Sequence, residues 1–218
     1  MGKKVIADIF SSISHVYDTF LSSVTLGGIH RWQNTLLSMG SKKGFILDVG
    51  TGTGEVAKKS LKAGYDEAIG IDISVGMLKV AKSKCEKCTF IVADGESMPF
   101  KDEVFDTITL SLVYRHLTDR KAFLIEANRV LKRGGYLCIL DIGKIPLTGL
   151  ILFLMKTVLK PLGVLIFGKD NWSFFIHSIE NSLNIAEVQE DFKIHNIRPE
   201  KVEKVMGGII LIISGVKE

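Results

Sequence analysis

A glycine-rich loop between a predicted strand and a predicted helix constrains the fold of this chain more than any other feature. Residues 45–49 form a short apolar run typical of a buried strand, and residues 55–63 form a helical pattern that Gly64 closes. The loop between them carries Gly50, Gly52 and Gly54. Glycine permits positive φ angles and lets the backbone approach a ligand closely. The sequence therefore predicts a strand–loop–helix unit that holds a small ligand.

Strands and helices alternate after this loop. The predicted strands are 67–71, 89–92, 104–110 and 136–140, and the predicted helices are 75–84 and 119–131. Such alternation, with right-handed crossovers, is typical of a mostly parallel sheet with helices on both faces. The predicted fold class is therefore α/β and Rossmann-like.

An N-terminal helical region precedes the sheet. Apolar residues recur at helical spacing within residues 5–39, at Val5, Ile9, Ile13, Val16 and Phe20. Gly27-Gly28 interrupts the pattern, and a second helix is predicted from near residue 29 to before residue 40. We expect residues 1–40 to lie over the ligand site of a single domain that spans residues 1–218.

Residues 145–183 are strongly apolar. The stretches 147–155 and 162–167 are each shorter than the ~20 residues that a spanning helix needs. They predict two apolar helices around a bend at Pro161, forming a lid or an insert that faces a membrane. Lys156, Lys160 and Lys169 would assist contact with a membrane surface. Core packing and a homodimer interface are the alternatives. Residues 192–197 and 209–214 predict two closing strands.

Composition excludes several classes of protein. The chain has 46% hydrophobic and 24% charged residues, which indicates a globular rather than a disordered chain. The net charge of +4 permits contact with anionic partners but does not require it, and the basic residues are scattered, so we do not expect nucleic acid as a partner. Three cysteines and no signal peptide favour a reducing cytoplasm. Cys85 and Cys88 have no second pair for zinc, so we expect two structural thiols and no metal site.

Acidic residues end three successive predicted strands, at Asp48, Asp72 and Asp94. The carboxyl ends of parallel strands meet at one edge of the sheet, where open α/β folds bind ligands. A carboxylate at Asp72 suits ribose hydroxyls, and one at Asp94 suits an adenine amino group. Gly95 leaves room beside the ring. Ile73 and Met77 are predicted to pack on the adenine faces, although ordinary core packing is an equal alternative for Met77.

The glycine spacing distinguishes between two adenosine cofactors. A dinucleotide fingerprint has the pattern G-x-G-x-x-G, but counting from Gly50 places Glu55 at the third glycine position. The pattern found, D-x-G-x-G-x-G over residues 48–54, matches class I methyltransferases that use S-adenosylmethionine. We predict this cofactor, with Thr51 and Thr53 in the loop that surrounds its methionine and ribose moieties.

Several segments together resemble one family. They are Tyr17-Asp18, His30-Arg31-Trp32, residues 47–55, Asp72-Ile-Ser, Pro99-Phe100, Ser111, Arg115 and residues 129–135. With them, the chain from about residue 17 to its C-terminus resembles the ubiquinone/menaquinone biosynthesis C-methyltransferases. The resemblance implies a seven-stranded sheet whose last strand is antiparallel. It also implies that Thr53, Asp72, Asp94, Gly95 and Ser111 contact the cofactor.

The resemblance is weaker on the side where the methyl acceptor would bind. The family usually has Arg-Asn where this chain has Arg115-His116, and residues 172–178 also depart from its pattern. Methylation of a quinol carbon needs a base or a group that stabilises a phenolate. We expect Arg115 in this role, holding a phenolate or ordering a water, with His116 as the second candidate. Both are not expected to face the pocket, because neighbours in a turn diverge. A structural ion pair is the alternative for Arg115, and a surface position is the alternative for His116.

Tyr17, His30 and Arg31 are predicted to close over the cofactor, with core packing as their alternative. The leading functional hypothesis is methylation of a small lipophilic acceptor, a prenylated quinol. Three alternatives stay open: a methyltransferase for another small molecule or for tRNA with a partner protein, an NAD-dependent oxidoreductase, and a non-catalytic binding module.

Overall fold

The glycine loop lies at the centre of a seven-stranded sheet. The computed structural model describes residues 2–15 and 17–218. The strands are β1 Phe45–Val49, β2 Glu67–Asp72, β3 Thr89–Val92, β4 Phe105–Ser111, β5 Leu131–Ile142, β6 Ile197–Val205 and β7 Ile210–Lys217. The helices are α1 Lys3–Ile13, α2 Tyr17–Val24, α3 Gly28–Ser38, α4 Glu55–Lys62, α5 Val75–Lys84, α6 Arg120–Val130, α7 Thr148–Lys156, α8 Lys160–Phe167, α9 Lys169–Glu180 and α10 Ile185–Ile194.

The strand order is β3-β2-β1-β4-β5-β7-β6, and β7 is antiparallel to both of its neighbours. The predicted Rossmann-like sheet with an antiparallel last strand is therefore confirmed. Strand order reverses between β1 and β4, and such a switch point opens a crevice at the carboxyl ends of the strands. The sheet core is apolar, with Leu47, Ile108 and Leu137 fully buried. Each such side chain stabilises the fold by about 1.5–3 kcal/mol.

The N-terminal region contains one more break than predicted. The first predicted helix is divided into α1 and α2, and Val16 lies outside the described residues. The Ser14 hydroxyl donates to the carbonyl oxygen of Ser11 at 3.0 Å, and this local bond competes with the helical ladder at the end of α1. The predicted break at Gly27 is present, because this residue precedes α3 with a φ of +75°.

The strand predicted at residues 192–197 is wrong. Phe192 belongs to α10, and β6 begins only at Ile197. The Asn184 side chain begins this helix by accepting a hydrogen bond from the Ala186 N–H at 3.0 Å. Val188 and Phe192 are buried at helical spacing, which outweighs the strand propensity of the short apolar run.

The apolar region after β5 forms three helices, α7, α8 and α9, instead of two. Pro161 lies in the first turn of α8 rather than in a bend, where its missing N–H costs no helical hydrogen bond. Many apolar side chains here are exposed: Leu147, Leu150, Phe153, Val158, Leu159, Leu162 and Leu165. Core packing is therefore the wrong interpretation for these side chains. Within the described part of the chain, no helix is both long and apolar enough to cross a membrane.

Cys85 and Cys88 form a disulfide, so the expectation of two thiols is wrong. Cys85 ends α5, and the Cys88 N–H donates to the carbonyl oxygen of Cys85 at 3.3 Å. This turn brings the two Cα atoms within 5.4 Å, inside the range that a disulfide spans. Cys138 is a buried free cysteine in β5.

Candidate active site

A cavity of about 130 Å³ lies at the carboxyl edge of the sheet, beneath the N-terminal helices. α1 contributes Lys3, Ile6 and Phe10 to its wall, and α2 contributes Tyr17 and Asp18. All of the predicted cofactor residues except Gly54 line this cavity: Asp48, Gly50, Thr51, Gly52, Thr53, Asp72, Ile73, Met77, Asp94, Gly95 and Ser111. The structure thus brings together residues from four strand ends that are distant in sequence.

The loop after β1 requires glycine for two different reasons. Gly50 and Gly52 have φ angles of +64° and +54°, in the left-handed region that other residues rarely adopt. A Cβ atom on Gly50 would also lie 2.5 Å from the Val113 side chain. Gly54, which was predicted to contact the cofactor, does not line the cavity. It stands at the start of α4, where a Cβ atom would lie 2.9 Å from Phe90. Its role is close packing behind the loop.

Asp48 holds the loop from within the sheet. Its two carboxylate oxygens accept hydrogen bonds from the hydroxyls of Thr51 at 2.7 Å and Thr109 at 2.8 Å. The side chain is buried, and this desolvation raises the pKa of Asp48 to about 6, although both hydroxyls oppose the shift. Because these hydroxyls belong to the loop and to β4, Asp48 fixes the loop to the sheet.

Asp72 joins the glycine loop to the start of α5. Its oxygens accept from the Gly52 N–H at 2.9 Å and from the Ser74 N–H at 2.8 Å. The Ser74 hydroxyl caps α5 by accepting a hydrogen bond from the Met77 N–H at 3.2 Å. Each carboxylate oxygen has a second lone pair, so Asp72 retains capacity for a ribose diol. Burial raises the pKa of this carboxyl group.

The Asp94 carboxylate lines the cavity beside the N-terminal end of α1. It accepts from the Glu96 N–H at 2.9 Å and from the Lys3 ammonium at 2.5 Å. Lys3 also lies 2.6 Å from a carboxylate oxygen of Glu96. The hydrogen bonds to Asp94 and then to Glu96 raise the pKa of Lys3. Gly95 follows Asp94 in the cavity wall. A Cβ atom at this position would lie 2.6 Å from the Val49 side chain, so only glycine fits there.

A polar contact also links α2 to the glycine loop. The Thr53 hydroxyl donates to the Asp18 carboxylate at 2.6 Å, and Lys84 forms an ion pair with Asp18. Sequence reasoning assigned no role to Asp18, although it belongs to the matched pair Tyr17-Asp18. It also assigned none to Lys3 and Glu96, because no local signal links residues separated by more than 90 positions.

His116 and Tyr17 are two titratable groups in the cavity wall with shifted pKa values. His116 lies in a short 3-10 turn after β4, with its ring 5.9 Å from the Phe10 ring. Desolvation, followed by the charge of Arg115 and the proximity of His177, lowers the pKa of His116 to about 2. Burial raises the pKa of Tyr17 to about 12. At neutral pH the imidazole is therefore neutral and the phenol is protonated.

Arg115 lies outside the cavity wall. Its guanidinium forms an ion pair with the fully buried Asp141 and donates from Nε to the Ser178 hydroxyl at 2.7 Å. The predicted divergence of Arg115 and His116 is therefore observed, with His116 facing the cavity. His30 and Arg31 are exposed and do not line the cavity, so their predicted position over the cofactor is wrong. Gln33, on the buried face of the same helix, lines it instead.

Solved structures share this fold at low sequence identity. Magnesium protoporphyrin IX methyltransferase from Synechocystis PCC 6803, solved with bound SAH, superposes with a TM-score of 0.71 and 18% identity over 100% of both chains. A putative methyltransferase in complex with the Haloferax volcanii Trm112 activator gives a TM-score of 0.69 and 18% identity, covering 95% of this chain and 96% of that one. Both comparisons concern the fold alone.

Sequence relatives are more specific. Demethylmenaquinone methyltransferase from Thermotoga maritima is 36% identical over 64% of this chain, and the match spans only 62% of that protein. The ubiquinone/menaquinone biosynthesis C-methyltransferase UbiE from Zymomonas mobilis is 29% identical over 98% of this chain and 92% of its own length. UbiE from Vibrio campbellii is 30% identical over 97% of this chain and 87% of its own length.

The cavity and the comparisons agree on the class of enzyme. The model of the ubiE/COQ5 methyltransferase family matches residues 1–217. The cofactor is S-adenosylmethionine, as predicted from the glycine spacing and the acidic strand ends, and the oxidoreductase alternative is overturned. From its first helix to its last strand, the chain belongs to the ubiE/COQ5 methyltransferase family.

Proposed function

We propose that this enzyme transfers the methyl group of S-adenosylmethionine to a ring carbon of a prenylated quinol. The observation that carries the proposal is the chemistry of the cavity beyond the glycine loop. Phe10, Val113 and Leu117 form the apolar wall of the cavity that His116 also lines, and the Phe10 ring lies 5.9 Å from the imidazole. An aromatic ring with one hydroxyl directed at the imidazole suits such a surface. The ubiquinone/menaquinone biosynthesis enzymes from Zymomonas mobilis and Vibrio campbellii, which this chain resembles, favour the same acceptor class.

In this proposal the donor lies along the strand ends. Asp72 accepts from the ribose hydroxyls, and Asp94 accepts from the adenine amino group. Ile73 and Met77 pack on the adenine faces, while Gly95 leaves room for the ring edge. The glycine loop surrounds the methionine moiety, with Ser111 nearby. This arrangement directs the sulfonium methyl group towards the apolar wall.

The reaction is an in-line displacement at the methyl carbon. The acceptor ring carbon forms a bond to the methyl group, and the electrons of the broken carbon–sulfur bond return to sulfur, which leaves S-adenosylhomocysteine. Loss of a hydroxyl proton makes the ring carbon nucleophilic, and later loss of the proton on that carbon restores aromaticity. Alignment of the two partners supplies much of the rate, because the step neutralises charge instead of creating it.

His116 is proposed to take the hydroxyl proton, since its imidazole is neutral and lines the cavity. The phenolate that forms beside it favours the charged imidazolium and raises the pKa that burial lowers. Tyr17 keeps its proton and donates a hydrogen bond to the developing oxyanion. Arg115 does not contact the acceptor in this proposal. Its ion pair and its N–H bond to Asp141 at 3.0 Å fix the turn that directs His116.

A methyl-transfer assay tests both the proposed acceptor and the proposed role of His116. The purified enzyme is incubated with methyl-labelled S-adenosylmethionine and a reduced prenylated naphthoquinol or benzoquinol that lacks the ring methyl group. We expect label on a ring carbon, located by mass spectrometry and NMR. His116→Asn should lower kcat by about 10²–10⁴-fold with unchanged affinity for S-adenosylhomocysteine. Label on a hydroxyl, or label only in added tRNA with a partner protein, would contradict the proposed acceptor.

We also propose that the enzyme works in the cytoplasm at a membrane surface. Helices α7 and α8 expose several apolar side chains, and the same stretch of sequence contains Lys156, Lys160 and Lys169. Helix α9 from the same region contacts the His116 turn through Ser178 and Arg115. An apolar surface with cations at its edge suits anionic lipid, from which a prenylated acceptor would enter.

Vesicle flotation tests this location. We expect the enzyme to float with phosphatidylcholine vesicles that contain phosphatidylglycerol, and the double variant Phe153→Ser, Leu165→Ser to stay in solution. Ile194→Ser removes an exposed apolar side chain from α10 and is the matched control. If the unaltered enzyme does not float with these vesicles and sediments as a dimer, this surface joins two copies instead.

A further inference from the structure

An ammonium group lies beside Asp94, at the end of the cavity proposed for adenine. The Lys3 Nζ atom lies 2.5 Å from one Asp94 oxygen and 2.6 Å from a Glu96 oxygen. The other Asp94 oxygen accepts the Glu96 N–H. Under the proposed function, the adenine amino group donates to the same Asp94 carboxylate. Lys3 therefore lies at the carboxylate that the adenine amino group would use.

The helix that carries Lys3 is held by contacts near both ends and by the Phe10 ring, which lies 5.9 Å from the Tyr17 ring and 5.9 Å from the His116 ring. α1, whose residues are all described, contains no buried side chain. Near its C-terminal end, the Ser11 hydroxyl lies 2.7 Å from the Ser74 hydroxyl. Near its N-terminal end, Lys3 holds Asp94 and Glu96. Between these contacts, Ile6 and Phe10 face the cavity. Such a helix opens more easily than an element packed in the core.

The cavity wall includes side chains of α1 as well as residues at the strand ends. Lys3, Ile6 and Phe10 of α1 line it together with Asp72 and Asp94. A movement of α1 would therefore change the space beside the strand ends, where the proposed donor lies.

We propose that Lys3 is a latch that holds α1 against Asp94 and Glu96 at the cavity, and that the cofactor opens the latch by replacing Lys3 on Asp94. The inference rests on the proposed function, which assigns Asp94 to the adenine amino group. In the open state Lys3 keeps Glu96 as its partner. The latch excludes water and other ligands from the apolar wall until the nucleoside arrives.

The latch has a measurable cost for binding. Breaking the ammonium–carboxylate contact opposes cofactor entry, so removal of the Lys3 charge should speed association. Salt screens the partly exposed pair, so added salt should speed association in the unaltered enzyme and have little effect once the charge is absent. A lysine that instead holds the bound cofactor would produce the opposite changes.

The test compares two lysines on the same helix. Lys3→Met removes the charge and keeps an apolar stem. Lys4→Met removes the same charge from an exposed neighbour that has no ion-pair partner within residues 2–15 and 17–218, and is the matched control. Stopped-flow binding of S-adenosylhomocysteine should be about fivefold faster for the Lys3 variant than for the control. Equal rates, or slower binding by the Lys3 variant, would overturn the latch.

Hydrogen–deuterium exchange without cofactor separates the latch from the proposed function. We expect the α1 amides to exchange about fivefold faster in Lys3→Met than in Lys4→Met. Equal exchange overturns the latch even if both proteins bind S-adenosylhomocysteine normally. Faster exchange in a protein that binds no S-adenosylhomocysteine supports Lys3 as the contact that closes the helix and refutes the proposed donor site.

Discussion

Arg115 and His116 are adjacent in sequence, yet they face opposite sides of one 3-10 turn. The Arg115 side chain points into the protein and pairs with Asp141, whereas the His116 ring lines the cavity. The backbone N–H of Arg115 also donates to Asp141 at 3.0 Å. One buried carboxylate therefore holds both the backbone and the side chain of the residue that precedes His116. The effects of this arrangement can be measured as changes in the free energy of unfolding and in its dependence on pH.

Replacing Arg115 with Met should destabilise the fold strongly. The change leaves the fully buried Asp141 carboxylate without its cationic partner, and breaking such a pair costs about 3–5 kcal/mol. The measurement is the free energy of unfolding in urea at pH 7. Arg198→Met is the control, because its ion pair with Glu218 is exposed and contributes about 1 kcal/mol or less. Equal losses in the two variants would contradict a structural role for Arg115.

His116 should make the protein less stable in acid. The unfolded chain binds a proton at His116 below about pH 6.5, whereas the folded protein binds it only near pH 2. Because the unfolded state binds more protons in this range, the free energy of unfolding falls as the pH decreases from 6.5. His116→Asn should therefore show a shallower loss between pH 6.5 and 4.5 in urea titrations. His30→Asn changes an exposed histidine and should keep the steep slope.

The contribution of Asp48 to the free energy of unfolding should depend on pH in the opposite direction to that of His116. The folded protein keeps the Asp48 proton up to about pH 6, whereas the unfolded chain releases it near pH 3.8. The folded state binds more protons between these values, so the Asp48 contribution to stability falls as the pH rises from about 4 to 6. The loss amounts to about 3 kcal/mol.

The variant Asp48→Asn isolates this effect, because its amide does not titrate and still forms hydrogen bonds to Thr51 and Thr109. Relative to the unaltered protein, the variant should be more stable at pH 7 than at pH 4, by roughly the amount lost at Asp48. The comparison uses urea unfolding at both pH values. A difference that does not change with pH would mean that Asp48 is ionised throughout.

The strand ends could be predicted because local and global signals coincide there. An apolar run, an acidic residue and a glycine follow one another within a few positions at β1, and similar signals end β2 and β3. The helix α10 was missed although its signals were present. Asn184 is a good helix cap, and Ile185, Val188 and Phe192 have helical spacing. The apolar residues 192–197 were interpreted without that context.

Other features require the folded chain. Lys3 meets Asp94 across 91 positions, and nothing in the N-terminal sequence indicates that partner. The direction of the Arg115 side chain depends on Asp141 in β5 and Ser178 in α9. The disulfide between Cys85 and Cys88 depends on the turn that ends α5. Sequence patterns predict such residues as candidates, while their partners follow from tertiary packing.

The central claim is that the cavity at the strand ends is the S-adenosylmethionine site, and calorimetric titration tests it most directly. The unaltered enzyme should bind S-adenosylhomocysteine and should not bind NAD. Asp72→Asn should weaken binding at least about tenfold, because loss of a hydrogen bond to a charged group costs about 1.5–3 kcal/mol. Asp102→Asn changes an exposed carboxylate on the protein surface and should bind as the unaltered enzyme does. Unchanged affinity in Asp72→Asn, or preferential binding of NAD, would contradict the account.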